Sequence, residues 1–169
     1  MLFRSYGGSS RDEAWGVVLN PKGGLYTLGL SDGQVGTVGD TSPTGTAKDT
    51  TITKIAGNGD VIWVNEFGTP GLDLPENGAI GPDGRLYVAG ITNGALSGHT
   101  FLGGLYDAFV YGINSDGSNA ALRQFGTAGA EGNYTYAVGL ALRPNGTLVL
   151  ATNSDKSPWG AGTPAGSDI

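Results

Sequence analysis

The stretch GGLYDAFVYGINSDG, from Gly103 to Gly117, decides how the chain is read. Its middle, Asp107-Ala-Phe-Val-Tyr-Gly-Ile113, is apolar, β-branched and aromatic, and it runs into Asp116-Gly117. That is the pattern of a strand leading into a hairpin. The element stands earlier as Asp49-Thr-Thr-Ile-Thr-Lys-Ile55, followed by Asn58-Gly59. Its opening residues return at Ala165-Gly-Ser-Asp-Ile169. Asn-Gly and Asp-Gly here signal tight two-residue hairpins, whose two central positions both favour positive φ.

Working outward, other landmarks recur in the same order. An aromatic-glycine pair occurs at Tyr6-Gly7, Phe67-Gly68 and Phe125-Gly126, with an acid five residues beyond each glycine, at Asp12, Asp73 and Glu131. Short apolar runs follow (Val17–Leu19, Gly78–Ile80, Leu140–Leu142), then the turns Pro21-Lys-Gly23, Pro82-Asp-Gly84 and Pro144-Asn-Gly146. Each turn leads into a second run: Leu25–Leu28, Leu86–Ala89 or Leu148–Ala151. The period is about 60 residues, longer than the roughly 20–30 of a β-solenoid. In the first copy four strands are expected, over Trp15–Asn20, Gly24–Leu30, Thr50–Ala56 and Val61–Phe67. No helix is expected, because glycines interrupt every stretch of helical period.

Four antiparallel strands per repeat is the pattern of a β-propeller blade; a β-sandwich with accidental similarity is the alternative. The expected fold is therefore all-β: a β-propeller segment over residues 1–169, with repeats at 1–60, 61–118 and 119–169. It would hold about three four-stranded blades, a strand left over at Leu2–Tyr6 and an incomplete last blade whose third strand begins at Ser167. Propellers typically close with four to eight blades, and open sheet edges invite further pairing. Two readings follow: a piece of a longer propeller, or a homodimer completing a six-blade ring.

Two stretches, Asp12–Leu30 (DEAWGVVLNPKGGLYTLGL) and Leu86–Ser118, resemble the SBBP repeat, a bacterial β-propeller repeat. The resemblance weakens in the third copy, where Asn133–Tyr136 lengthens a loop, and Leu72–Pro75 departs from Arg11–Ala14. It implies a secreted or cell-surface protein in a bacterium, and a non-enzymatic scaffold for protein interaction, adhesion or display. A lectin-like, carbohydrate-binding propeller is the alternative, so the expected partner is a protein or a glycan.

Composition narrows the classes. The 32 glycines among 169 residues fall at recurring positions between apolar runs, which points to turns and not to disorder. A net charge of −6 opposes binding to nucleic acid and to anionic membranes. The chain has no cysteine and a single histidine, so thiolate chemistry is excluded and a catalytic zinc would lack its usual ligands. No apolar run reaches the roughly 18–20 residues needed to span a bilayer, so membrane insertion is not expected. His99 lies two residues from Ser97 in a polar loop, a surface position without the elbow of a serine hydrolase.

Asp12, Asp73 and Glu131 are candidate metal ligands, calcium being the ion that suits carboxylates and loop carbonyls. Their competing role is to cap turns by accepting backbone N–H groups. Asp49, Asp107 and Asp168 each precede a third strand and are expected to fix its entrance. Trp15 and Trp63 fall on strands, where packing between blades is expected. Trp159, in Ser157-Pro-Trp-Gly160, with loop partners such as Tyr106 and His99, forms the candidate ligand-binding set.

Overall fold

The structure, a computed structural model, describes residue 7, residues 11–33, residue 35, residues 48–128 and residues 134–155. Among the described residues there is no helix, and ten strands form three antiparallel sheets. The first sheet is β1 (Asp12–Leu19), β2 (Leu25–Ser31), β3 (Asp49–Ile55) and β4 (Val61–Phe67). The second is β5 (Asp73–Ile80), β6 (Leu86–Thr92), β7 (Asp107–Ile113) and β8 (Asn119–Phe125). The third is β9 (Thr135–Leu142) paired with β10 (Leu148–Ser154). Each strand pairs with the next in sequence, so every sheet is a meander. The expected all-β class and the four strands per repeat are present in the first two copies. The expected N-terminal strand Leu2–Tyr6 and the residues from Ser167 lie outside the described residues.

All five turns within the sheets at one end share one construction. Gly23, Gly59, Gly84, Gly117 and Gly146 have φ between 82° and 102°. Each donates its N–H to the carbonyl three residues back, as Gly117 does to Asn114 at 3.0 Å, and a residue pair four apart closes the loop. These are three-residue loops, a type I turn followed by a left-handed glycine. The two-residue turns expected at Asn58-Gly59 and Asp116-Gly117 are thus corrected. The loops are Gly57–Gly59 and Ser115–Gly117, and only the glycine needs the left-handed region. The residue before that glycine caps the turn in four cases: Oδ1 of Asn58, Asp83, Asp116 and Asn145 accepts the N–H two residues on. The exception is Lys22, whose own N–H is capped by Asn20 Oδ1.

The first strand of every sheet carries a bulge. Register slips around Trp15 in β1, Glu76 in β5 and Val138, the residue of β9 opposite the slip in β10. A bulge re-aims the extra side chain, here into solvent. Trp15 is 50% exposed and donates its indole N–H to Glu13. The expectation that Trp15 packs between sheets is therefore wrong, while Trp63 is buried as expected. The sequence starts β5 at Gly78, but the strand begins at Asp73 and holds Pro75, tolerated beside the bulge on an edge strand.

The main core lies between the first and second sheets: Tyr26, Leu28, Ile52, Trp63 and Phe67 face Leu86, Val88, Phe109, Tyr111 and Ile113. Phe67 meets Phe109 edge-on at 5.4 Å and lies 4.0 Å from Tyr111. The Ser115–Gly117 loop of the second sheet docks on β4 of the first, its Ser115 carbonyl accepting Trp63 Nε1 at 3.2 Å and its Gly117 carbonyl accepting Asn65 Nδ2 at 3.1 Å. A thinner layer of Ala89, Ala108 and Ala137, with Leu140 and Leu150, joins the second sheet to the third.

At the opposite end of the sheets, buried aspartates are packed on the glycines of the aromatic-glycine pairs. A Cβ on Gly68 would overlap Asp49 and come within 2.9 Å of Asp73, and one on Gly126 would overlap Asp107. The recurring glycine leaves room for a carboxylate. Gly68→Ala and Gly126→Ala should each cost about 1–3 kcal/mol by overpacking. Gly139→Ala, whose added methyl would meet only Ala151 at 3.7 Å, should change stability far less. Chemical denaturation of the three variants checks this.

Candidate functional site

Two features could engage a ligand, at opposite ends of the sheets. At the end with the long connections, the parallel bridge between Tyr106 and Tyr134, with Thr135 N–H bonded to the Tyr106 carbonyl, joins the second sheet to the third. It gathers three phenols: Tyr106 and Tyr136 are 5.4 Å apart, Tyr134 and Tyr136 4.9 Å. All three are half-buried. Tyr106 and Tyr136 pack against Leu30, Leu74 and Ile91. Burial pushes the Tyr136 hydroxyl up from its ordinary value, and Tyr106, Tyr134 and Glu76 reinforce the shift. Glu76, the exposed bulge residue of β5, lies near enough to act on Tyr136, and partial desolvation raises its own carboxyl.

The aspartates form the frame beneath that end. Asp73 is fully buried, and its Oδ2 accepts the backbone N–H of Thr69 at 2.5 Å and the Thr69 hydroxyl at 2.9 Å. Thr50 Oγ1 donates to the Asp73 carbonyl, linking the first sheet to the second, as does the bridge Lys48–Leu72. Burial raises the Asp73 pKa against the opposing hydrogen bonds from Thr92 and Thr69. Asp107 Oδ2 accepts Leu102 N–H and Gln124 Nε2, both at 2.9 Å. Asp73 and Asp107 therefore serve as struts, accepting backbone N–H groups from the connections they precede or follow. Both leave Oδ1 buried with no hydrogen-bond partner.

Asp12 opens β1 with its carboxylate against Gly7, while Glu131 and Trp159 lie outside the described residues. Among the described residues no three acids or histidines are grouped to hold a metal. His99 is half-buried in the turn Leu96–His99, its Nδ1 3.0 Å from the Ser97 carbonyl. The structure joins Tyr106 to Tyr134 and Tyr136, not to His99. Sequence reasoning missed those two tyrosines and Glu76, because β9 pairing and the β5 bulge place them.

The second feature is a cleft of about 820 Å³ at the tight-turn end, between the first and second sheets. The turns Asn20–Gly23 and Gly81–Arg85, with Asn114–Asp116, form its walls, and Ile62 and Ile80 add apolar surface. Lys22, Lys54 and Arg85 supply positive charge, and Asp83 and Asp116 negative charge.

No protein-family model matches the chain, and neither does any curated protein.

Because burial raises Asp73, its native form holds a proton to higher pH than its unfolded form. Stability from this group is greatest below the ordinary carboxylate value and falls as pH rises through the raised one. Asp73→Asn should keep the Thr69 bonds and remove this fall. Asp73→Ala should lose about 1.5–3 kcal/mol at neutral pH. Melting of both variants between acid and neutral pH decides.

Proposed function

We propose that the chain is a segment of a β-propeller, used as a non-enzymatic scaffold for protein contact or adhesion. The observation that carries this reading is the stacking of repeated meanders with their first strands adjoining, β5 touching both β1 and β9. That is how blades stand around a central axis. A closed core of buried aspartates and aromatics spends its polar groups on structure. The resemblance to SBBP repeats supports a secreted or cell-surface setting in a bacterium, where the ring is completed by further blades or by a second copy.

A second reading is favoured by the tyrosine trio: a neutral sugar stacked on Tyr106 or Tyr136, with Glu76 accepting a hydroxyl. Titration with a panel of neutral oligosaccharides, read by NMR at Tyr106, Tyr134 and Tyr136, separates the two. The scaffold reading predicts no saturable shift with any sugar. Saturable shifts that Tyr136→Ala abolishes would replace it with the carbohydrate reading.

A further inference from the structure

The cleft at the tight-turn end departs from the repeat, and the departures converge. Three cations line it, each at a position whose counterpart in the next sheet is uncharged or acidic. Register places Lys54, opposite Tyr26, where the second sheet has Gly112 opposite Tyr87. The turn sequences align Lys22 with Asp83 and Asn145, and Arg85 with Gly24 and Thr147. Two of these cations also serve the fold: Arg85 pairs with Asp83 at 3.3 Å and donates Nε to Asn114 Oδ1 at 2.9 Å, and Lys54 donates to the Ser115 carbonyl.

Lys22 is the clearest departure. It occupies the position that Asn58, Asp83, Asp116 and Asn145 use to cap their own turns, and so forgoes that cap. Its side chain reaches across the boundary, where a methyl on Gly84 would lie 3.6 Å from Nζ. It makes no ion pair among the described residues. Lys54 Nζ is held by a neutral group, the Ser115 carbonyl at 2.5 Å, over the ring of Tyr26.

The two acids of the cleft are engaged by their own turns. Asp116 Oδ1 accepts the N–H and hydroxyl of Ser118, and these bonds hold its carboxyl below the usual range. Asp83 takes Arg85 N–H, Arg85 Nη1 and the Tyr87 hydroxyl. The wall between the charges is aliphatic, with Ile62 54% exposed beside Ile80, Pro21 and Pro82. Three cations face two acids and Arg85 is paired with Asp83, so one net positive charge, carried most openly by Lys22, stands beside the aliphatic wall and suits a partner that is acidic and aliphatic.

We propose that this cleft binds an acidic peptide segment, its carboxylates meeting Lys22, Lys54 and Arg85 and an aliphatic side chain covering Ile62 and Ile80. The volume suits a few residues of extended chain, within the usual roughly 300–1,000 Å³ of ligand pockets. This rests on the protein-contact reading above and names the chemistry of one partner.

The test uses the full chain and an acetylated, amidated hexapeptide, Glu-Asp-Leu-Ile-Glu-Asp. Controls are its amide counterpart Gln-Asn-Leu-Ile-Gln-Asn and a version with two glycines in place of Leu-Ile. Binding is followed by amide NMR shifts at Gly23, Gly84 and Ser115. The acidic peptide should give saturable shifts, and both controls should bind at least about tenfold more weakly. Added salt should weaken the acidic peptide. Lys22→Glu should weaken it by about tenfold or more, and Lys22→Gln, which keeps the turn neutral, by less. Absence of shifts, equal binding of the amide peptide, or full binding by both Lys22 variants would overturn the proposal. Sugar-dependent shifts at Tyr136 in the same spectra would overturn the scaffold reading separately, since they report on the other end of the sheets.

Discussion

A buried carboxylate resting on a glycine is the interaction on which the sheets depend. Phe67-Gly68 ends one sheet, and Asp73 opens the next five residues later. Between them the chain must turn from the last strand of one sheet to the first strand of the next without helix or hairpin to satisfy its backbone. Asp73 supplies the acceptor from within the core, taking the Thr69 N–H and hydroxyl together. Gly68 is required because Asp49 and Asp73 approach it from the two sheets. Aromatic, glycine and aspartate are thus one device: the ring fills the core, the glycine admits the carboxylate, and the carboxylate holds the crossing.

This device carries an electrostatic cost. Burying a carboxylate disfavours its charged form, and hydrogen bonds to that form offset the penalty. For Asp73 burial prevails, so the pKa is raised in spite of its partners. Asp107 meets the same demand with Leu102 N–H and the Gln124 amide. Gln124 in turn bonds the Gly94 carbonyl and Leu96 N–H, tying the long β6–β7 connection to β8. The counterpart of Gln124 is Glu66, buried and accepting Val35 N–H. The connections at this end are therefore anchored at their roots, which leaves their outer residues free to vary without disturbing the sheets.

Much of the architecture was legible because it repeats. Val61–Phe67 is a strand with the bounds the sequence suggested, while Asp49–Ile55 begins and ends one residue before the expected Thr50–Ala56, and Asp107–Ile113 includes the aspartate expected to precede it. The bulges were not legible, since a bulge is a property of pairing and no local signal marks Trp15, Glu76 or Val138 as unpaired. That is why Trp15 reads as a core residue and stands half in solvent. The site was less legible than the fold. Tyr106 was visible as a loop aromatic, but its partners Tyr134 and Tyr136 come from a strand whose entrance is set by a bridge across sheets. Lys22 looked like an ordinary turn residue until four equivalent turns showed Asp or Asn in its place.

Amide hydrogen exchange at Leu102 and Thr69 tests the aspartate joint most directly. Leu102 is 42% exposed and is itself in no strand pairing, yet its N–H bonds to buried Asp107. If the carboxylates hold the crossings, both amides exchange only through global unfolding, as slowly as those of β6 and β7. Exchange of Leu102 and Thr69 at the rate of open loop residues would contradict the account.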